Sequence, residues 1–82
     1  MSEGRKSAET FHPAEFIRDE MEARGWATKD LAIALDCRDE YAEHILAGKK
    51  ITGRDAHQLA RAFGTSVDVW LNLQAMYDEE ER

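Results

Sequence analysis

Four helix stops, Gly25, Asp36, Gly48 and Gly64, constrain this chain more than any other feature. Each follows a segment whose apolar residues recur at helical spacing, and glycine is the residue best suited to end a helix there. Asp36 serves the same purpose, because aspartate tolerates the left-handed conformation better than most residues. Stops this frequent leave room only for short helices, of roughly two to four turns each. The connections between them are only a few residues long. Successive helices must then pack at steep angles around one small core, unlike a long up-down bundle. No segment alternates with period two over a useful length, and no Asn-Gly or Asp-Gly hairpin turn occurs. The fold class expected is all-α, with five short helices. At 82 residues the chain allows one domain, whose core is modest because a fold this small buries only roughly 60–65% of its unfolded surface.

The segments read as follows. His12-Pro13 opens the first helix, since proline at the first helical position needs no N–H. Glu15 and Asp19 lie near its positive end, Phe16, Ile17 and Met21 form its apolar stripe, and Gly25 ends it. The second runs from Thr28, expected as N-cap, to about Leu35, with Leu31, Ala32 and Leu35 on one face. The third covers about 38–47, with Ala42, Ile45 and Leu46 inward. The fourth opens at Thr52, where Thr52 and Asp55 have capping-box spacing, and buries Ala56, Leu59, Ala60 and Phe63. Thr65 and Asp68 repeat that spacing to start a fifth helix, running to about Tyr77. The domain is expected over 12–77, with residues 1–11 a flexible arm and 78–82 an acidic tail that frays.

Several function classes drop out. The longest tight apolar run, Leu31 to Leu35, cannot span a membrane. Met1 to Thr10 has no apolar export signal, and the single cysteine, Cys37, allows no internal disulfide, so the cytoplasm is expected. Cys37, His44 and His57 match no zinc spacing, and Cys37 falls at a core position, which reads as a buried thiol. No metal and no cofactor is expected. The carboxylates fall mostly on solvated helix faces with no nucleophile-base pair, so the chain does not read as an enzyme.

Net charge is the one objection to a nucleic-acid partner: 17 acidic side chains against 11 basic ones give −6. The excess is uneven. Residues 55–82 hold Asp55, Asp68, Asp78, Glu79, Glu80 and Glu81 against Arg61 and Arg82. Residues 28–54 are neutral, with Lys29, Arg38, Lys49, Lys50 and Arg54 balancing Asp30, Asp36, Asp39, Glu40 and Glu43. A neutral face predicts weak nonspecific binding and a shallow salt dependence if DNA is bound.

That neutral segment carries the most specific pattern. Thr28 to Cys37, followed by Tyr41 to Lys50, gives a short helix, a tight turn and a second helix with Ala32, Cys37, Ala42 and Ile45 inward, which is a helix-turn-helix arrangement. Together with His12-Pro13-Ala14-Glu15-Phe16, the run from Leu59 to Ser66, and Trp70-Leu71-Asn72-Leu73-Gln74, it resembles the XRE-type helix-turn-helix proteins and, within them, the HigA antitoxins. The resemblance covers about residues 12–77. It implies a lambda-repressor-like fold and a dimeric transcriptional repressor. Such a protein binds a palindromic double-stranded DNA operator through its third helix and often neutralises a toxin that cleaves mRNA. By position, Arg38, Glu40, Tyr41 and His44 would reach bases, and Thr28, Lys29, Lys49 and Lys50 would hold phosphates. Tyr41 could equally pack against the second helix. Asp39, Glu40, Tyr41 and Glu43 stand where relatives usually present Arg, Gln, Thr and Ser.

The fifth helix has more apolar surface than a lid over a small core needs. Val67, Trp70, Leu71 and Gln74 mark one side, and Val69, Leu73, Met76 and Tyr77 another. A twofold contact through Val69, Trp70, Leu73, Met76 and Tyr77 would make a homodimer, matching operator symmetry. The competing assignment is a helix-turn-helix scaffold turned protein-binding module, whose acidic third helix meets a basic partner such as a toxin.

Overall fold

The computed structural model describes residues 12–81, apart from the Glu81 side chain. Among these residues it contains five α-helices and no strand: α1 Pro13–Arg24, α2 Thr28–Leu35, α3 Asp39–Leu46, α4 Gly53–Phe63 and α5 Val67–Glu81. The expected arm at 1–11 lies outside the described residues.

The four stops act alike. Gly25, Asp36, Gly48 and Gly64 all have positive φ. In each case the next residue's N–H reaches back five positions: Trp26 to Met21 O at 2.9 Å, Cys37 to Ala32 O at 2.9 Å, Lys49 to His44 O at 2.9 Å and Thr65 to Ala60 O at 3.0 Å. This is the Schellman closure, which satisfies carbonyls that a helix end leaves unpaired. Asp36, at φ 56°, is the one non-glycine among them.

Two other orphan carbonyls are taken by side chains from neighbouring helices. Arg18 of α1 donates to Leu46 O at the end of α3. Gln58 of α4 donates through Nε2 to Leu35 O at 3.0 Å, at the end of α2. Both bonds fix helix against helix as well as satisfying a terminus.

One core forms between the helices. Ile17 and Met21 of α1, Leu31, Ala32 and Leu35 of α2, Ala42 and Ile45 of α3, Ile51 of the following loop, Ala56, Leu59, Ala60 and Phe63 of α4 and Trp70 of α5 are all buried in it. Ala32 of α2 and Ala42 of α3 are small and buried on helices that pack against each other. Trp26, Phe63 and Trp70 run in series, with ring centroids 5.4 and 6.1 Å apart.

Helix starts differ from expectation in two places. At α2 the cap is Ala27, and Thr28 is the first helical residue; Asp30 Oδ2 accepts the Ala27 N–H at 2.8 Å. At α5 the Thr65–Asp68 box does not form. Ser66 Oγ accepts the Val69 N–H at 3.3 Å, while Thr65 Oγ1 accepts the Trp70 indole N–H at 2.7 Å. The buried indole needed an acceptor, and Thr65 supplies it. The Thr52–Asp55 box forms as expected, with bonds of 3.1 Å in both directions.

The C-terminal boundary also moves. Helix α5 does not fray after Tyr77 but continues to Glu81. Asp78 Oδ1 accepts from Gln74 Nε2 at 2.9 Å, and Asp78 Oδ2 lies 3.3 Å from Lys50 Nζ. Asp78 therefore belongs to the folded domain and ties α5 to the loop after α3.

Candidate nucleic-acid interface

Helix α3 buries Ala42 and Ile45 and turns Asp39, Glu40, Glu43 and His44 outward. It follows the Asp36 closure, after which half-buried Cys37 packs against the core and Arg38 takes the N-cap position. A shallow groove of about 560 Å³ follows, lined by Cys37, Arg38, Glu40, Tyr41, His44 and Arg54. All four residues expected to reach bases thus line one concave surface. Arg54, from the first turn of α4, completes it.

Arg38, Arg54 and Glu40 all contribute to the lining of this groove. Asp39 and Glu43 are exposed one turn apart on α3 and line no part of the groove. Asp55, Asp36 and Asp39 nonetheless act on Cys37 in the groove wall, so the groove sets two arginines among acidic neighbours. Cys37 is half-buried there as a wall, not as a nucleophile: burial first, then the Asp55 carboxylate, pushes its thiol up.

Tyr41 is half-buried, and its hydroxyl donates to both oxygens of Asp55 at 3.0 Å. Asp55 is itself only 3% exposed. Its Oδ2 also accepts the Thr52 N–H and lies 3.9 Å from Lys49 Nζ. Lys49 Nζ sits 4.9 Å from the centre of the Tyr41 ring, a cation–π distance, and donates to Lys50 O at 3.1 Å. The loop continues to Ile51, whose N–H donates to buried Gln74 Oε1 at 2.7 Å. The loop between α3 and α4 is thus anchored at Lys49, Lys50 and Ile51 in turn.

No family model matches the chain. Among curated proteins it is 32% identical over 77 residues to a virulence-associated protein I of Dichelobacter nodosus, covering 92% of this chain and 71% of the relative. Among solved structures it superposes with a TM-score of 0.80 on an addiction module antidote protein of the HigA family from Coxiella burnetii. That match is 33% identical and covers 87% of this chain and 79% of the other. The chain belongs to the HigA family. The all-α, five-helix architecture read from the stops is that of the HigA antidote.

Within this HigA fold the expected site residues fall into three places. Arg38, Glu40, Tyr41 and His44 share the groove. Lys49 and Lys50 occupy the loop, each beside a carboxylate: Asp55 for Lys49, and Asp78 for Lys50, whose side chain is still 73% exposed. Thr28 borders a second hollow, of about 470 Å³, with Arg18, Met21, Glu22, Trp26, Ala27 and Leu46. Lys29 is exposed beside it.

On α5, Trp70 is corrected: at 2% exposure it is a core residue, not part of a dimer face. Tyr77 is half-buried, edge-on to His12 at 4.9 Å. Val69 and Met76 are exposed, with half-buried Leu73 between them at helical spacing. Sequence reasoning did not single out Arg54 for the groove, and it read Asp55 only as a cap. The signal available was that both follow the Thr52 cap, which aims the first turn of α4 at α3.

Proposed function

We propose that this HigA-family chain is the antidote of a toxin-antitoxin pair and a dimeric transcriptional repressor that reads its operator with α3. The observation that carries this reading is the groove itself. It gathers Arg38, Tyr41, His44 and Arg54 beside Glu40 on the outer side of a helix-turn-helix. Arginine pairs in bidentate fashion with guanine, and a carboxylate accepts from cytosine N4. Thr28 and Lys29 at the start of α2, with the exposed Lys50 in the loop, serve the phosphates, while Lys49 is held beside Asp55. The stripe of Val69, Leu73 and Met76 on α5 joins two protomers, placing two α3 helices for the two halves of a palindrome.

The role is that of a regulator rather than a catalyst, and the cytoplasm is its compartment, in keeping with a family of antidotes. Among the described residues no helix is long and apolar enough to cross a membrane.

A mobility-shift assay on the DNA upstream of the protein's own reading frame tests the repressor role. Folded dimer should shift that duplex at low salt in preference to a scrambled one, and Arg38→Ala should weaken the shift by about tenfold or more, as loss of a bidentate base contact does. No shift would sink the reading.

A second reading, a protein-binding module with little DNA binding, draws on Asp39 and Glu43. Both are exposed, and neither has an ion-pair partner among the described residues. They suit a basic partner such as a toxin. Charge reversal at Asp39 and Glu43 should abolish capture of the neighbouring gene's product while leaving the DNA shift in place; loss of the shift with capture intact would reverse the assignment.

A further inference from the structure

We infer that Asp55 is a positioning residue for the DNA-reading surface: it orders Tyr41 and draws Lys49 away from phosphate. The inference rests on the operator-reading function proposed above. A capping box needs from Asp55 only the bond to the Thr52 N–H, which an exposed carboxylate or a carboxamide supplies equally well. Here the carboxylate is almost wholly buried, and burying a charge is costly unless it is paired and hydrogen-bonded. Its pairing goes beyond the cap. Both oxygens accept from Tyr41 Oη on α3, and Oδ2 faces Lys49 Nζ from the loop. One residue of α4 thereby joins the two neighbouring parts of the surface, the α3 groove and the lysine loop.

The consequences for the two partners differ. The Tyr41 ring forms the groove wall next to Arg38, His44 and Arg54. With its hydroxyl fixed, the wall has one position, so the groove presents a fixed shape to base edges. Lys49 is held between the Asp55 carboxylate and the Tyr41 face. Its charge is compensated within the protein, so it contributes little to counterion release. Asp55 thus trades general affinity for phosphate against a rigid reading surface. The effect is to raise the ratio of operator binding to nonspecific binding rather than affinity as such.

Asp55→Asn and Tyr41→Phe test this in the full-length protein, with circular dichroism confirming the fold of each. Tyr41→Phe keeps the capping box intact and covers the case where Asp55→Asn fails to fold. The first readout needs no DNA. Limiting acetic anhydride, followed by peptide mass spectrometry, compares labelling of Lys49 with that of exposed Lys29. Lys49 should be shielded in the parent and labelled several-fold faster in Asp55→Asn. Tyr41→Phe, which removes no charge, should raise labelling less.

The second readout compares the upstream duplex with a random one across salt. Asp55→Asn should bind the random duplex more tightly, with a salt slope steeper by about 0.9 for each lysine released to phosphate. Its preference for the upstream duplex should fall by about tenfold. Tyr41→Phe should lose a similar preference without the steeper slope, and the double variant should lose no more than Asp55→Asn alone, as residues of one network do. Destabilisation alone would weaken binding to both duplexes together.

Unchanged Lys49 labelling in Asp55→Asn, or additive losses in the double variant, overturns the positioning role while the DNA reading stands. A parent protein that shields Lys49 yet shows no preference for its upstream duplex overturns the DNA reading and the positioning role with it.

Discussion

His12 is an N-cap built from an imidazole: Nδ1 accepts the Ala14 N–H at 2.9 Å, which requires the ring to be neutral. Burial lowers its pKa from the ordinary 6.5, against the opposing pull of the Lys49 and Gly48 backbone and of Asp78 and Glu15. The folded state therefore holds this proton less tightly than the unfolded chain. Its contribution is complete above about pH 6.5 and declines as pH falls through that value towards the lower folded pKa. The melting temperature should drop between pH 7.5 and 5.5, and His12→Asn, which keeps a cap acceptor but does not titrate there, should flatten the curve. An unchanged slope would remove His12 as the cause. Asp36 makes a second prediction at this scale. It holds φ 56° without being glycine, so Asp36→Gly should stabilise the fold by about 0.5–1 kcal/mol in urea melts. These roles were partly legible: the His12-Pro13 start and the turn at Asp36 follow from local chemistry. The Tyr41–Asp55 bond was not, because it joins residues on different helices whose relative placement only tertiary packing decides.

Helix limits were legible wherever a terminus is satisfied by its own residues. The four stops and the Thr52–Asp55 box are of this kind. They failed where a distant group competed for the capping atom, as at Thr65, which serves the Trp70 indole instead. The same blindness assigned Trp70 to an interface: a stripe on α5 shows which residues share a side, not which side meets the core. Packing separates the two roles, and so do their expected effects. Trp70→Ala should cost about 3–5 kcal/mol, enough to unfold much of a small domain. Met76→Asp, at a position 53% exposed, should leave the helical spectrum intact and shift the proposed dimer to monomer in sedimentation velocity. A Met76→Asp variant that stays dimeric would move the contact away from α5.

At the scale of the molecule, net charge was a poor guide because it averages over surfaces that do different things. The acidic excess belongs largely to α5, and the α3 side carries Arg38 and Arg54 beside Glu40, with Asp39 and Glu43 exposed on the same helix as Glu40. The arrangement leaves few lysines for phosphate, since Lys49 is held by Asp55 and only Lys29 and the exposed Lys50 remain among the described residues. Affinity must then come more from the groove than from counterion release. A fluorescence-anisotropy titration of the upstream duplex and a scrambled duplex, repeated from low to physiological salt, tests this most directly. A preference for the upstream duplex that persists as salt rises, with a shallow slope and a marked loss in Arg54→Ala, is the result expected. Equal binding to both duplexes, or none to either at low salt by folded dimer, would contradict it.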